Sequence, residues 1–292
     1  MTLSSVPLIA RPLGGVALKM SDVTYRLLRE FIYQQCGIFY PDNKKYLLEG
    51  RLARRLQALN IADYEGYLQM LRYGSHRQEE MRFLYDAITI NETYFFRNEP
   101  QFEAFENTLI PSVIKSRPPN GKLRVWSAAS SSGEEAYSIA MLFLERIKPR
   151  YPGLSLEVVG TDINQSVLET ARRGVYRDYS VRNMQKYYLD KYFVEEDSRY
   201  HLSEDVKRLV RFEQVNLYDQ SRMRSMTNFD IVFCCNVLIY FDSASKVQVV
   251  SNLYDALRRE GFLFIGYAES LHGITTAFKL VNFPKTVAYK KE

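Results

Sequence analysis

The chain has 292 residues, 46% of them hydrophobic and 25% charged, which excludes a disordered or fibrous chain and leaves room for about two packed domains. Its net charge of +5 is a mild basic excess, well short of a histone-like tail, that suits either an acidic partner or a surface kept basic for solubility. Cys36, Cys234 and Cys235 form no CxxC pair, and His76, His201 and His272 are scattered, so no metal site is expected and the thiols suit a reducing cytosol.

Residues 1–20, with Pro7, Pro12, Gly14 and Gly15, read as a flexible tail without the early positive charge of a signal peptide. Ser21 caps a helix that Gly37 ends. A second helix is predicted over 43–59, with Leu48, Leu52, Leu56 and Leu59 on one stripe, then a third over 64–71 and a fourth over 77–88. The first ninety residues thus read as all-helical.

After Pro118, Pro119, Asn120 and Gly121 the rhythm changes. Strands are predicted over 123–127, 156–161, 210–216, 229–235, 262–267 and 286–289, and helices over 133–147, 166–173 and 245–258. This alternation implies a mainly parallel sheet covered on both faces. Between residues 175 and 210 a tyrosine-rich stretch breaks the pattern and reads as an insertion, a helix followed by a small antiparallel unit. The longest apolar run, residues 231–241, contains Asn236 and is too short to span a bilayer as a helix. The expectation is a cytoplasmic, monomeric protein with no direct membrane insertion.

Five segments are candidates for chemistry. Residues 125–135, from Val125 to Glu135, pass from a strand through small residues into a helix, the place where α/β sheets bind ligands. The alternative is a plain turn with Ser132 or Gly133 as cap. No Walker lysine and no GxGxxG occur there, which disfavours a triphosphate or a dinucleotide. Asp162, at the end of the next strand, is placed to accept both hydroxyls of a ribose, or merely to cap the following helix. Asn216 follows a further strand and is a candidate for reading an adenine edge. Asn236 is the lone amide of its apolar run, with Tyr240 just beyond. Asn91 to Pro100 joins the helical part to the α/β part, and its plain reading is a helix capped by Asn91 or Thr93.

These five segments, in this order, resemble the CheR family, which methylates glutamate side chains of bacterial chemoreceptors. The resemblance runs from about residue 21 onward and is strongest over 91–99, 124–141, 161–176 and 235–242. It implies a helical N-terminal domain (21–90) and a Rossmann-like, S-adenosylmethionine-dependent methyltransferase domain (91–292) with a small inserted β-subdomain (about 178–209). It further implies cofactor contacts from Asn91, Thr93, Arg97, Glu134, Asp162, Asn216, Leu217, Asn236 and Val237, with Arg97 and Tyr240 nearest the reacting methyl group. The product would be S-adenosylhomocysteine, and no metal would take part.

The resemblance also bears on the second helix, where Arg51, Arg54 and Arg55 share a side. It implies that this face meets the cytoplasmic helical bundle of a chemoreceptor; a solvated charged face is the alternative. Two departures from the family pattern stand out. Ala136 replaces a common proline, with little consequence expected. The inserted loop over 193–200 is short, acidic and glycine-free, so dependence on a receptor C-terminal pentapeptide is not expected. The implied reaction is displacement at a sulfonium methyl by a glutamate carboxylate, already ionised with a pKa of about 4.3, so no general base is required. A nucleic-acid base methyltransferase would carry an Asn/Asp-Pro-Pro-Tyr/Phe tetrapeptide, which is absent, and no nucleic-acid partner is expected. A methyltransferase acting on another protein, or a non-catalytic S-adenosylmethionine-binding signalling module, remain the alternatives.

Overall fold

A computed structural model describes residues 18–115 and 121–292. The tail over 1–20 therefore lies almost wholly outside the described residues, as do Pro118, Pro119 and Asn120. The described chain packs as two units, residues 18–29 with 40–88, and residues 30–39 with 89–292. Residues 30–39, which include the end of the first helix, group with the second unit.

The first unit is helical. Helix α1 (Asp22–Cys36) begins where the Ser21 hydroxyl accepts the Thr24 N–H at 3.0 Å. Helix α2 (Lys45–Leu59) follows a 3₁₀ turn at Asp42–Lys44 and buries Leu48, Leu52 and Leu56 completely. Helix α3 (Tyr64–Tyr73) is capped by Asp63, which accepts from the Gly66 N–H at 2.8 Å, and α4 (Arg77–Ile88) packs against both α2 and α3.

Two of the three arginines expected to form a free basic face are engaged inside this unit. Arg55 Nε and Nη2 donate to the Glu80 carboxylate at 2.9 and 2.5 Å, and its guanidinium lies 3.6 Å from the centre of the Phe83 ring. The Tyr67 hydroxyl donates to the same carboxylate at 2.7 Å, and Glu80 is 2% exposed. Arg51 Nη1 donates to the Tyr40 hydroxyl at 2.9 Å and to the Ile88 carbonyl at 2.5 Å. The reason is helical phase. Arg51 and Arg55 each stand three residues past a buried leucine and flank the apolar stripe, whereas Arg54 points outward and is exposed.

The second unit is built on a seven-stranded sheet. In chain order come α5 (Glu99–Ala104), a π-helical turn (Phe105–Leu109), α6 (Ile110–Lys115), β1 (Lys122–Ala128), α7 (Glu134–Leu142) with a π-helical extension (Phe143–Ile147), β2 (Ser155–Asp162) and α8 (Gln165–Arg173). The insertion holds β3 (Val175–Tyr176), α9 (Asp178–Val181), α10 (Lys186–Tyr192), β4 (Phe193–Glu196), β5 (Arg199–Leu202) and α11 (Glu204–Lys207). Then follow β6 (Val210–Gln214), α12 (Gln220–Met223), β7 (Phe229–Cys234), a 3₁₀ turn (Leu238–Tyr240), α13 (Ser243–Ala256), β8 (Leu257–Ile265), β9 (Phe278–Phe283) and β10 (Thr286–Lys291).

The strand order is β6-β2-β1-β7-β8-β10-β9. The five strands from β6 to β8 pair in parallel, and β10 is antiparallel to both its neighbours. Every residue of β7 is buried, as a strand covered on both faces requires. Phe233 stacks on Phe264 across the sheet, with ring centres 4.9 Å apart. After β1 the chain builds outward through β2 and β6, then returns to the other side of β1 with β7. That reversal opens a crevice at the carboxyl ends of β1 and β7.

Several elements depart from the sequence reading. The segment from Asn91 is not a helix capped by Asn91 or Thr93; the helix starts at Glu99, with Pro100 in its first turn. Strand β8 starts at Leu257, where the helix was expected to continue, and β9 was not foreseen. The insertion forms its own three-stranded sheet, β3-β5-β4, which reaches back to Val175. Among the described residues, no helix is long and apolar enough to cross a membrane.

Candidate active site

A cavity of about 230 Å³ lies at the carboxyl ends of β1, β2, β6 and β7. Its wall includes Asn91, Thr93 and Arg97 from the segment before α5. It also takes Asp162 from β2, Asn216 and Leu217 after β6, and Asn236, Val237 and Tyr240 after β7. Residues about 150 positions apart in sequence thus meet at the reversal of strand order.

The segment before α5 is pinned from below. Phe95 is fully buried, edge-on to Tyr176 and Phe193 of the insertion at 4.9 and 5.3 Å, and its N–H donates to the Ser180 carbonyl at 2.9 Å. The Phe96 N–H donates to the Ser138 hydroxyl at 3.0 Å, and Phe96 itself takes a left-handed backbone with φ of 56°. Tyr94 and Arg97 are thereby turned to the cavity. Arg97 Nη1 donates to the Glu92 carbonyl at 2.6 Å.

The turn after β1 is equally constrained. Ala129, Ser131 and Gly133 all have positive φ, of 60°, 51° and 92°. For Ala129 and Ser131 this is backbone strain, which persists only where surrounding contacts impose it and gathers at ligand sites. At Gly133 an added Cβ would sit 2.8 Å from Phe212 and 2.9 Å from Ala171, so the turn is pressed against its neighbours. The Asp162 carboxylate ties this turn to β2, accepting the Ser131 N–H at 2.9 Å through one oxygen and the Asn164 N–H at 2.9 Å through the other.

Glu134 was expected at the cofactor, but it does not line the cavity. It is 1% exposed, and its carboxylate accepts the Ser132 and Ser180 hydroxyls at 2.7 and 2.9 Å. Successive residues on a helix point about 100° apart, so only one of a glutamate pair can face the crevice. That residue is Glu135, which accepts the Ser127 hydroxyl at 2.7 Å. Burial pushes its carboxyl up to about 7, against the opposing pull of Ser127, Cys235 and the Arg97 charge.

Asn216 lines the cavity, yet both ends of its amide are engaged. Nδ2 donates to the Gln35 carbonyl at 2.7 Å and Oδ1 accepts the Tyr218 N–H at 3.0 Å. Its amide holds the loop while the residue lines the cavity. The loop after β7 is fixed from several directions. The Phe39 N–H donates to the Tyr240 carbonyl at 2.9 Å, and Ile38 makes an isolated β-bridge with Phe241. The Tyr33 hydroxyl donates to Asp242 at 3.0 Å. Cys36 and Ile38, at the end of α1, also line the cavity and were not foreseen.

The wall suits an adenosine-type cation. It combines an acidic residue at the end of β2, where ribose hydroxyls are held in such sheets, with a carboxyl at Glu135 that the surrounding charge does not fully compensate. The buried Ser130 hydroxyl also lacks a hydrogen-bond partner among the described residues. Among those residues no cluster of side chains could hold a metal ion.

Comparison with known proteins agrees with this geometry. Residues 91–287 match the family model for the CheR methyltransferase SAM-binding domain, and residues 24–89 match the model for the CheR methyltransferase all-alpha domain. The chain is 35% identical over 273 residues to chemotaxis protein methyltransferase 2 of Vibrio cholerae, covering 93% of this chain and 94% of that one. It is 37% identical to the chemotaxis protein methyltransferase of Vibrio parahaemolyticus, with 94% and 98% covered. With that of Escherichia coli K12 it shares 33% identity, with 90% of each chain covered. With both domains matched and the match running nearly end to end, this chain belongs to the CheR methyltransferase family.

Proposed function

We propose that this enzyme transfers the methyl group of S-adenosylmethionine to glutamate side chains in the cytoplasmic helical bundle of chemoreceptors, forming methyl esters. The observation that carries this reading is one wall holding Asp162, Glu135, Arg97 and Tyr240 together at the switch point of the sheet. The names of the relatives, chemotaxis protein methyltransferase, support methyl transfer in chemotaxis.

When bound, the cofactor supplies a methyl group activated by its sulfonium charge. Asp162 would accept hydrogen bonds from the ribose hydroxyls, and Glu135 would supply negative charge toward the cationic end. Arg97 orients the incoming carboxylate, and Tyr240 shapes the space in which the two reactants align. Such alignment is worth about 7–11 kcal/mol. Ile90 and Ile239, both in the wall and more than half exposed, give the cavity an apolar rim. None of the three histidines lies in the wall, in keeping with an acceptor that is already ionised.

Two finer points belong to the same proposal. The enzyme works without a receptor C-terminal pentapeptide. Supporting this, β4 is an edge strand whose exposed Glu195 and Glu196 lead into Asp197, so a peptide ending in a carboxylate meets like charge. The turn at Asp197 and Ser198 has φ of 48° and 57° without a glycine, which keeps the hairpin short. On the helical unit, Arg54 is the residue of the basic trio that remains available to an acidic receptor flank.

The test is peptide mapping of a receptor cytoplasmic fragment after incubation with enzyme and cofactor, with and without a C-terminal pentapeptide. Methyl groups on glutamates at equal rates for both fragments support the proposal. Methylation only of the tethered fragment rejects the pentapeptide point, and methyl groups on other residue types reject the reaction.

A further inference from the structure

Glu269 lies outside the cavity wall, in the loop between β8 and β9, yet its carboxylate is bound almost wholly by the backbone of the site. Oε2 accepts the Asn236 N–H at 2.9 Å and the Gly266 N–H at 2.6 Å. Oε1 accepts the Ile239 N–H at 3.2 Å. The Glu269 N–H donates to the Gly266 carbonyl at 2.9 Å, closing a turn that aims the side chain at the loop after β7.

That loop needs an external hold. Asn236 has φ of 62°, a left-handed conformation disfavoured for a residue with a Cβ. It is stable only where its surroundings impose it. Hydrogen bonds from N–H groups to an ionised carboxylate are the strong kind, and here one carboxylate ties together the loops after β7 and β8. Gly266 completes the arrangement. A Cβ there would lie 2.7 Å from Glu269 Oε2, 2.8 Å from the Asn236 backbone nitrogen and 2.9 Å from its side-chain nitrogen. A side chain at 266 would force the carboxylate and the loop apart.

We infer that Glu269 is a positioning residue for methyl transfer, its carboxylate holding residues 236–240 so that Asn236, Val237 and Tyr240 face the cavity. The inference rests on the proposed use of that cavity for S-adenosylmethionine and adds a residue that does not itself line it. Gly266 is the notch that lets the carboxylate approach.

The experiment measures S-adenosylhomocysteine binding by calorimetry, and kcat and KM for S-adenosylmethionine with a receptor fragment. It uses wild-type enzyme, Glu269→Gln, Glu269→Ala and Gly266→Ala. Glu145→Gln serves as the control, because Glu145 accepts from Lys191 of the insertion at 2.7 Å and also serves Tyr187 and Tyr192, away from the cavity. Misplacement of the loop predicts binding weakened by about tenfold or more in Glu269→Ala and Gly266→Ala, together with a fall in kcat through Tyr240. The near-isosteric Glu269→Gln, which keeps the fold, falls between these and wild type. Unchanged binding and kcat in folded Glu269→Gln and Gly266→Ala overturn the inference, as does an equal loss in Glu145→Gln at a matched fall in Tm. Wild-type enzyme that fails to bind S-adenosylhomocysteine overturns instead the cofactor reading on which the inference stands.

Discussion

Acidification from pH 7 to pH 5 should weaken cofactor binding through Glu135. Its carboxyl has a pKa of about 7 in the free cavity because burial disfavours the charged form. It is then half ionised at pH 7 and about 1% ionised at pH 5. A cation bound beside the carboxylate favours its ionised form and holds the pKa of the bound form well below the free value. The bound-state pKa lies below the free-state value, so binding releases a proton between them and affinity is lost as pH falls through 7. The expected loss is about 50-fold between pH 7 and pH 5. Calorimetry across pH 5–8, in buffers of different ionisation enthalpy, measures both the affinity and the protons released. Glu135→Gln should bind weakly and flatten the dependence. It should also raise the Tm of the ligand-free protein at pH 8, because a carboxyl whose folded pKa is raised above its unfolded value opposes folding once ionised. Affinity independent of pH in the wild type, or an unchanged slope in Glu135→Gln, would refute the reasoning.

Further outcomes follow from named contacts. Arg55→Ala leaves Glu80 buried without its bidentate partner and should cost about 3 kcal/mol or more in urea unfolding. Arg54→Glu, on the exposed side of the same helix, should change stability by less than about 0.5 kcal/mol while slowing receptor methylation; normal methylation would remove Arg54 from the receptor face. Gly160→Ala would place a Cβ 2.4 Å from the Phe212 ring and should destabilise the unit by about 1–3 kcal/mol, followed through the emission of Trp126, the single tryptophan of the chain. Arg97→Ala should lower kcat with the fold intact by circular dichroism, and normal turnover would exclude its orienting role.

The sequence was most informative where a local pattern and the tertiary environment agree. The leucine stripe of α2 and the hydroxyl cap at Ser21 announce their helices without reference to the rest of the chain. The buried run of β7 and the acidic residue ending β2 mark central parallel strands. The misses are long-range or marginal. Edge strand β9 has no fully buried residue and shows little apolar alternation. The helix from Glu99 starts in an aromatic junction whose register is set by Phe95 packing on the insertion. Glu134 and Glu135 are adjacent, and choosing between them requires the phase of α7 against the sheet. Arg51 and Arg55 share a side with Arg54 on a helical wheel, and nothing local shows that Ile88 and Glu80 engage two of them. Asn216 is held by Gln35, 181 residues away in sequence, and Glu269 by backbone groups of residues up to 33 positions distant. No periodicity encodes such bonds.

The most direct test of the account uses S-adenosylmethionine labelled on its methyl group, this enzyme and a chemoreceptor cytoplasmic fragment, followed by alkali. A carboxyl methyl ester formed at this site must be alkali-labile, so the label should leave the fragment as volatile methanol, and transfer should collapse in Arg97→Ala. Label that resists alkali, or cofactor binding without transfer to the receptor, would contradict glutamate methylation.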